Sequence, residues 1–150
     1  MTYVRDVLEK KGYDIWSVAP DTPVYKDLQL MFEKNCGAVL VLHQEALVGI
    51  LSERDYARKV ILKGKSSKNT PVEEIMSQRV VCIQPDNTID ECMALMTDKR
   101  IRHLPVLKDE ETLVGLIPIG DVVKEVISEQ EFIINQLESY IKGFPETRLQ

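Results

Sequence analysis

The chain is poor in the residues that most enzyme chemistries need. Its 150 residues include two histidines, His43 and His103, in unlike contexts, and three cysteines, Cys36, Cys82 and Cys92. There is no Ser-His-Asp set, no metal-ligand spacing and no Walker loop, so catalysis has no obvious carrier. No C-x-x-C pair occurs, and an odd number of thiols argues against a disulfide framework. Each cysteine sits in an apolar context, which favours a small buried thiol over a redox sensor. No stretch reaches about 18 apolar residues, and the N-terminus has no apolar leader. A soluble protein in a reducing compartment, most simply the cytoplasm, is the expectation. Basic excess is also missing: 19 Lys+Arg stand against 24 Asp+Glu, for a net charge of −5. That excludes bulk attraction to nucleic acid or an anionic membrane, though not a local basic patch.

What is present reads as alternating short elements. A chain of this length fits one domain, or two very small ones sharing a core. Residues 3–10 look like a short amphipathic helix with Val4, Val7 and Leu8 on one face, closed by Gly12. Residues 15–18 suggest a short strand. Thr22-Pro23 opens a helix with Val24, Leu28, Met31 and Phe32 inward. Residues 38–43 and 47–51 form a hairpin, followed by a helix from Glu53 to about Leu62 with Tyr56, Val60 and Ile61 inward. Residues 63–69 are linker-like.

Thr70-Pro71, with Glu73 three residues on, announces another helix. Residues 80–83 read as a strand, and Thr88 starts a helix with Ile89, Cys92, Met93 and Met96 inward. Residues 104–107 and 113–117 make a second hairpin. The last helix, from about Asp121 to Lys142, carries apolar rows at a spacing of seven: Ile127, Ile134 and Ile141, then Val123, Gln130 and Leu137. Such rows suit another helix, which could be a second subunit or the chain's own core.

The two halves repeat at an offset of 65 residues, then 66 after one extra residue in the second hairpin. Pro20-Asp21 matches Pro85-Asp86, Leu30-Met31 matches Leu95-Met96, and Leu47-Val48-Gly49 matches Leu113-Val114-Gly115. The leading segments correspond too, Val4, Val7 and Leu8 against Val72, Ile75 and Met76. The expected fold is α+β: two β-α-β-β-α repeats, each with a leading helix, packed through their sheets about a pseudo-two-fold axis. Residues 1–79 form the first unit and 80–150 the second, which ends in the long helix. Neither unit would bury enough surface alone.

The most suggestive stretch is Gly49–Asp55, GILSERD, where an apolar run meets a helix start. Ser52 and Asp55 have the spacing of a helix cap, and a cap with no ligand is the simplest account. The positive end of a helix also suits an anion. The corner returns as Gly115–Asp121, GLIPIGD. A doubled corner beside a repeat interface is a plausible small-molecule site.

The order and doubling of these motifs resemble a tandem cystathionine β-synthase (CBS) domain pair, or Bateman module, of the kind found in stand-alone bacterial proteins. The signatures are P-D-x-[TP]-[VI] at each first helix, NCGAVLV and RIRHLPV before each hairpin, and L-V-G at each second strand. The resemblance implies a non-catalytic regulatory module that binds an adenosine ligand such as AMP, ADP, ATP, NAD(H) or S-adenosylmethionine, with no catalytic cofactor. It also implies a homodimer acting on an unknown partner. Asp55 would accept the ribose hydroxyls, and Ser52 would help hold phosphate. Arg102 and His103 would contact phosphate from the opposite repeat. Arg54 and Arg58 would assist, or else be solvated surface. Backbone contacts to the base would fall at Trp16-Ser17, Gly37-Ala38 and Val81-Cys82. In the second copy Pro118 replaces the hydroxyl, so Asp121 would offer a weaker site. A dimerisation scaffold with decayed sites is the alternative.

Overall fold

The computed structural model describes residues 1–144; residues 145–150, which the expected second unit includes, lie outside it. The elements run α1 (Val4–Lys11), β1 (Ser17–Val18), α2 (Val24–Lys34), β2 (Ala38–His43), β3 (Ala46–Ser52) and α3 (Glu53–Tyr56). A π-helical turn at Ala57–Ile61 continues α3, and a 3-10 turn follows at Val72–Glu74. Then come α4 (Ile89–Lys99), β4 (His103–Lys108), β5 (Thr112–Pro118) and α5 (Ile119–Lys142). β1 is parallel to β2, and β2 is antiparallel to β3; β4 and β5 form the matching second hairpin. Both hairpins shift register at the same place, between Val41/Leu42 and between Val106/Leu107.

The leading segments are exchanged between the repeats. Val4 and Arg5 N–H donate to Asn87 and Pro85 carbonyls, and Ile89 N–H donates to Thr2 O. At the equivalent places Val72 and Glu73 N–H donate to Thr22 and Pro20 carbonyls, and Val24 N–H donates to Thr70 O. Val4, Val7 and Leu8 are therefore buried with Ile89, Cys92, Leu104 and Ile117 of the second repeat. Val72 and Ile75 are buried with Val24, Val39 and Leu51 of the first. Each segment presses on the glycine of the hairpin it covers. A Cβ at Gly115 would lie 2.7 Å from the Leu8 side chain, and one at Gly49 would collide with the Met76 thioether.

Several sequence expectations need correction. Thr70-Pro71 opens a single 3-10 turn, not a helix. Thr70 Oγ1 donates to Ser66 O at 2.6 Å and so caps nothing. The chain is then drawn onto the edge of β3, where Ser77 and Ile50 exchange backbone hydrogen bonds. Residues 80–83 are not a strand; only Ile83 bridges to β4. In the first repeat Leu40 N–H donates to Trp16 O. The counterpart of Leu40 is Pro105, which has no N–H, so the pairing shrinks to the bonds of Ile83.

Two apolar side chains assigned inward point outward: Phe32 is 89% exposed and Ile61 57%. The buried face of α2 is centred on Val24, Asp27 and Met31. Phe32 is about 100° round the helix from Met31, off that face, and Ile61 stands in the same relation to buried Val60. The first helix cap falls at Pro23 rather than Thr22. Thr88 caps α4 as expected, accepting from Glu91 N–H at 3.1 Å.

Asp27 is fully buried, and neither carboxylate oxygen has a hydrogen-bond partner. Burial pushes its pKa up to about 7. Its counterpart in the second repeat is Cys92, also fully buried, whose thiol is pushed up to about 11 mainly by burial. The unfolded chain ionises Asp27 near 3.8 and the folded chain only near 7, so as pH rises the unfolded state loses the proton first. Its drag on stability is absent below about pH 4 and complete above pH 7, on the order of 4 kcal/mol at most. Asp27→Asn should flatten this fall and raise the urea midpoint at pH 7.5 but not at pH 4. Equal effects at both pH values would refute the assignment.

Candidate functional site

Ser52 ends β3 and caps α3. Its hydroxyl accepts from Asp55 N–H at 3.2 Å, and its own N–H donates to Asp55 Oδ2 at 3.0 Å. The Ser52 hydroxyl also lies 3.1 Å from Oδ2. The cap read from the sequence therefore exists, and it holds the carboxylate in place. Oδ1 faces the other way, 3.2 Å from Lys59 Nζ and 3.5 Å from the Ser77 hydroxyl. The Asp55 side chain is 15% exposed.

Beside it opens a cleft of about 760 Å³, within the usual range for small-molecule sites. The first repeat supplies Gly37, Ser52, Arg54, Asp55 and Arg58, and the second supplies Val81, Arg102 and His103. All eight were candidates from the sequence. The other five candidates do not line this cleft. Ala38 is buried in β2. Ser17 lies in β1, and Trp16 packs under Lys34, whose Nζ is 4.5 Å from the ring centroid. The Cys82 thiol lies 3.7 Å from Val80 O. Asp121 belongs to the repeated corner, where Lys11 of α1 pairs with its Oδ2 at 2.9 Å and donates to Leu116 O.

Sequence reasoning missed Arg79 and Arg100, which also line the cleft. Arg79 sits in the connection between the repeats. Arg100 is the left-handed residue that closes α4, at φ 55°. Arg100 opens the RIRHLPV stretch, whereas no motif marks Arg79, which only the folded chain brings into the cleft with Arg102. His103 packs over Gly37, with its Nε2 3.5 Å from where a Cβ would stand. Burial, then the charges of Arg102 and Lys11, hold its pKa below the usual 6.5. All three thiols are unpaired, and burial pushes each of them up, away from thiolate chemistry. Among the described residues no His/Cys/Asp/Glu cluster is placed to hold a metal ion, and no helix is long and apolar enough to cross a membrane.

The CBS domain family model matches this chain twice, at residues 4–61 and 72–128. The chain belongs to the CBS domain family. It is a tandem CBS pair of mixed α and β structure with a long last helix. It is 40% identical to the CBS domain-containing protein CBSX3, mitochondrial, of Arabidopsis thaliana, over 95% of this chain and 73% of that protein. A CBS-domain protein from Burkholderia ambifaria has the same fold, with a TM-score of 0.83 and 50% identity over 86% of this chain and 96% of that one. The CBS pair of MJ0100, solved with 5′-methylthioadenosine and S-adenosyl-L-methionine, shares the fold at a TM-score of 0.76 and 22% identity, over 86% of this chain and 98% of that one.

The depressed pKa of His103 carries a sign opposite to that of Asp27. As pH falls below 6.5 the unfolded chain takes up the proton first, so His103 subtracts stability as pH drops through its folded pKa. An NMR titration of the ring should give a midpoint below 6.5. His103→Gln should remove that acid-side loss, and a midpoint at or above 6.5 would contradict the burial argument.

Proposed function

We propose that this CBS pair is a non-catalytic regulatory module that binds an adenosine-containing nucleotide, such as AMP, ADP, ATP or NAD(H), in the cleft beside Asp55. The observation that carries this reading is the convergence of one ribose-type acceptor with arginines from both repeats around a single cleft. Asp55 Oδ2 is occupied by Ser52, while Oδ1 is turned toward Lys59 and Ser77 and can accept from vicinal hydroxyls. Guanidinium groups match phosphate oxygens in a bidentate fork. Gly37, Val81 and the half-buried ring of His103 offer a small, partly apolar wall for a base. That MJ0100 holds adenosine compounds on the same fold is compatible with this assignment.

The Asp121 corner supports the scaffold alternative for its own half. Pro118 caps α5 without a side-chain hydrogen bond, so Asp121 lacks the hydroxyl that orients Asp55. The reading therefore assigns one strong site rather than two. It involves no nucleic acid and no membrane. Its unpaired thiols suit a reducing compartment such as the cytoplasm.

The unit of action is a homodimer formed through α5, signalling to a protein partner. Of the 24 residues of α5 only Val122 is buried, with Val126 partly so. Val123, Ile127, Ile134, Leu137 and Ile141 are all exposed, at 39–65%. They form two rows at heptad spacing, and such rows are complementary to a second copy of themselves. Gln130 interrupts one row and would fix the register, as a single polar core position does.

Isothermal titration should detect binding of an adenosine nucleotide near micromolar, about −8 kcal/mol, lost in Asp55→Ala. No binding of any adenosine compound would leave only the scaffold, and turnover of the nucleotide would mean an enzyme. Sedimentation equilibrium should show a dimer. Ile134→Glu with Leu137→Glu should make it a monomer without changing the nucleotide affinity, whereas an unchanged mass would place the interface elsewhere.

A further inference from the structure

The pseudo-two-fold axis makes the two corners comparable residue by residue, and their charges differ sharply. Arg54, Arg58, Arg79, Arg100 and Arg102 all line the Asp55 cleft. By the repeat offsets the counterparts of Arg54, Arg58, Arg100 and Arg102 are Gly120, Lys124, Asn35 and Gly37, and by the match of the leading segments that of Arg79 is Lys11. Five guanidiniums face one cleft, while the matching positions of the other corner carry two lysines, one of them tied to Asp121. Among the described residues every ion pair uses a lysine, and none of these five arginines is paired with a carboxylate. Only Glu53 and Asp55 bring negative charge to the cleft, and Lys59 pairs with Asp55. In a chain of net charge −5, such a concentration of unpaired cations is not a by-product of composition.

One phosphate group presents three oxygens, and two guanidinium forks are enough to engage all of them. We infer that the Asp55 cleft is built for a nucleotide bearing a chain of two or more phosphates, with the arginines of both repeats, Arg79 and Arg100 included, arrayed along that chain. This rests on the adenosine-nucleotide reading above and narrows it. The ribose end is held by Asp55 whatever the number of phosphates. Discrimination between AMP and ADP or ATP comes from Arg79 and Arg100, which extend the arginine row beyond Arg102. Because these come from the inter-repeat connection and from the end of α4, a polyphosphate ties the two repeats together, and a monophosphate leaves some of the guanidiniums without an anion.

The test is calorimetry on the full chain at one fixed ionic strength, with adenosine, AMP, ADP, ATP and inorganic tripolyphosphate as probes. ATP and ADP should bind about tenfold or more tighter than AMP, with a steeper loss in added salt. Arg79→Gln and Arg100→Gln should each weaken ATP about tenfold and AMP less than about threefold. Asp55→Asn should weaken all the adenosine ligands by the same factor and leave tripolyphosphate unaffected. Circular dichroism melting checks that each variant is folded. AMP binding as tightly as ATP would overturn the polyphosphate assignment and leave the nucleotide reading standing. Binding of tripolyphosphate with no gain from adenosine would overturn the nucleotide reading. Equal losses of AMP and ATP in Arg79→Gln would overturn the role given to that residue.

Discussion

The structure depends on a reciprocal backbone clamp. Residues 2–8 hydrogen-bond into the entry of α4, and residues 70–76 hydrogen-bond into the entry of α2, through the same three N–H···O contacts. Each leading segment therefore completes the core of a repeat, and for α1 it is the repeat farther along the chain. The clamp segments pack beside the helices of each repeat, and Gly49 and Gly115 leave room for Met76 and Leu8 to come close. A clamp that runs both ways binds the halves together along one seam, and that seam carries the arginine-lined cleft.

Symmetry sets up two corners and the side chains make them unlike. Ser52 caps α3 and orients Asp55, while Pro118 can do neither for Asp121. Arg102 and His103 line the first corner's cleft together with Gly37, the counterpart of Arg102. Lys11 is the residue most easily misjudged. It ends a surface helix, yet the exchange of α1 carries it across to the second corner, where it pairs with Asp121 and donates to Leu116 O. Pro105 shows how one substitution within a repeat propagates. By removing a single N–H it reduces a strand to a bridge, and Val80 and Val81 line the cleft as irregular chain.

Periodicity alone located the helices and hairpins, because a half-buried element must place its apolar residues at the spacing of its own geometry. It failed where phase mattered. On α2 the apolar residues run from Val24 to Phe32, but the buried face is turned toward Asp27, so a carboxyl goes in and a phenyl ring stays out. A pattern reading assumes that charge faces water, and Asp27 breaks that assumption. The exposed rows of α5 are the reverse case: their spacing was plain in the sequence, and burial in a single chain does not account for them.

The sequence by itself determined the doubled α+β architecture, the position of the Ser52–Asp55 corner and the missing capping hydroxyl of its Pro118 copy. These follow from local chemistry: repeat offsets, a hydroxyl three residues before a carboxylate, a ring that lacks an N–H. Only the tertiary structure decided that α1 completes the second repeat, that Lys11 neutralises Asp121, and that Arg79 and Arg100 join Arg54, Arg58 and Arg102 around one cleft. Arg100 and Arg102 are close in the chain, but Arg79 of the inter-repeat connection and Arg54 and Arg58 of the first repeat have no spacing that marks them as their neighbours. They become a site through the packing of the two halves, which no local pattern encodes.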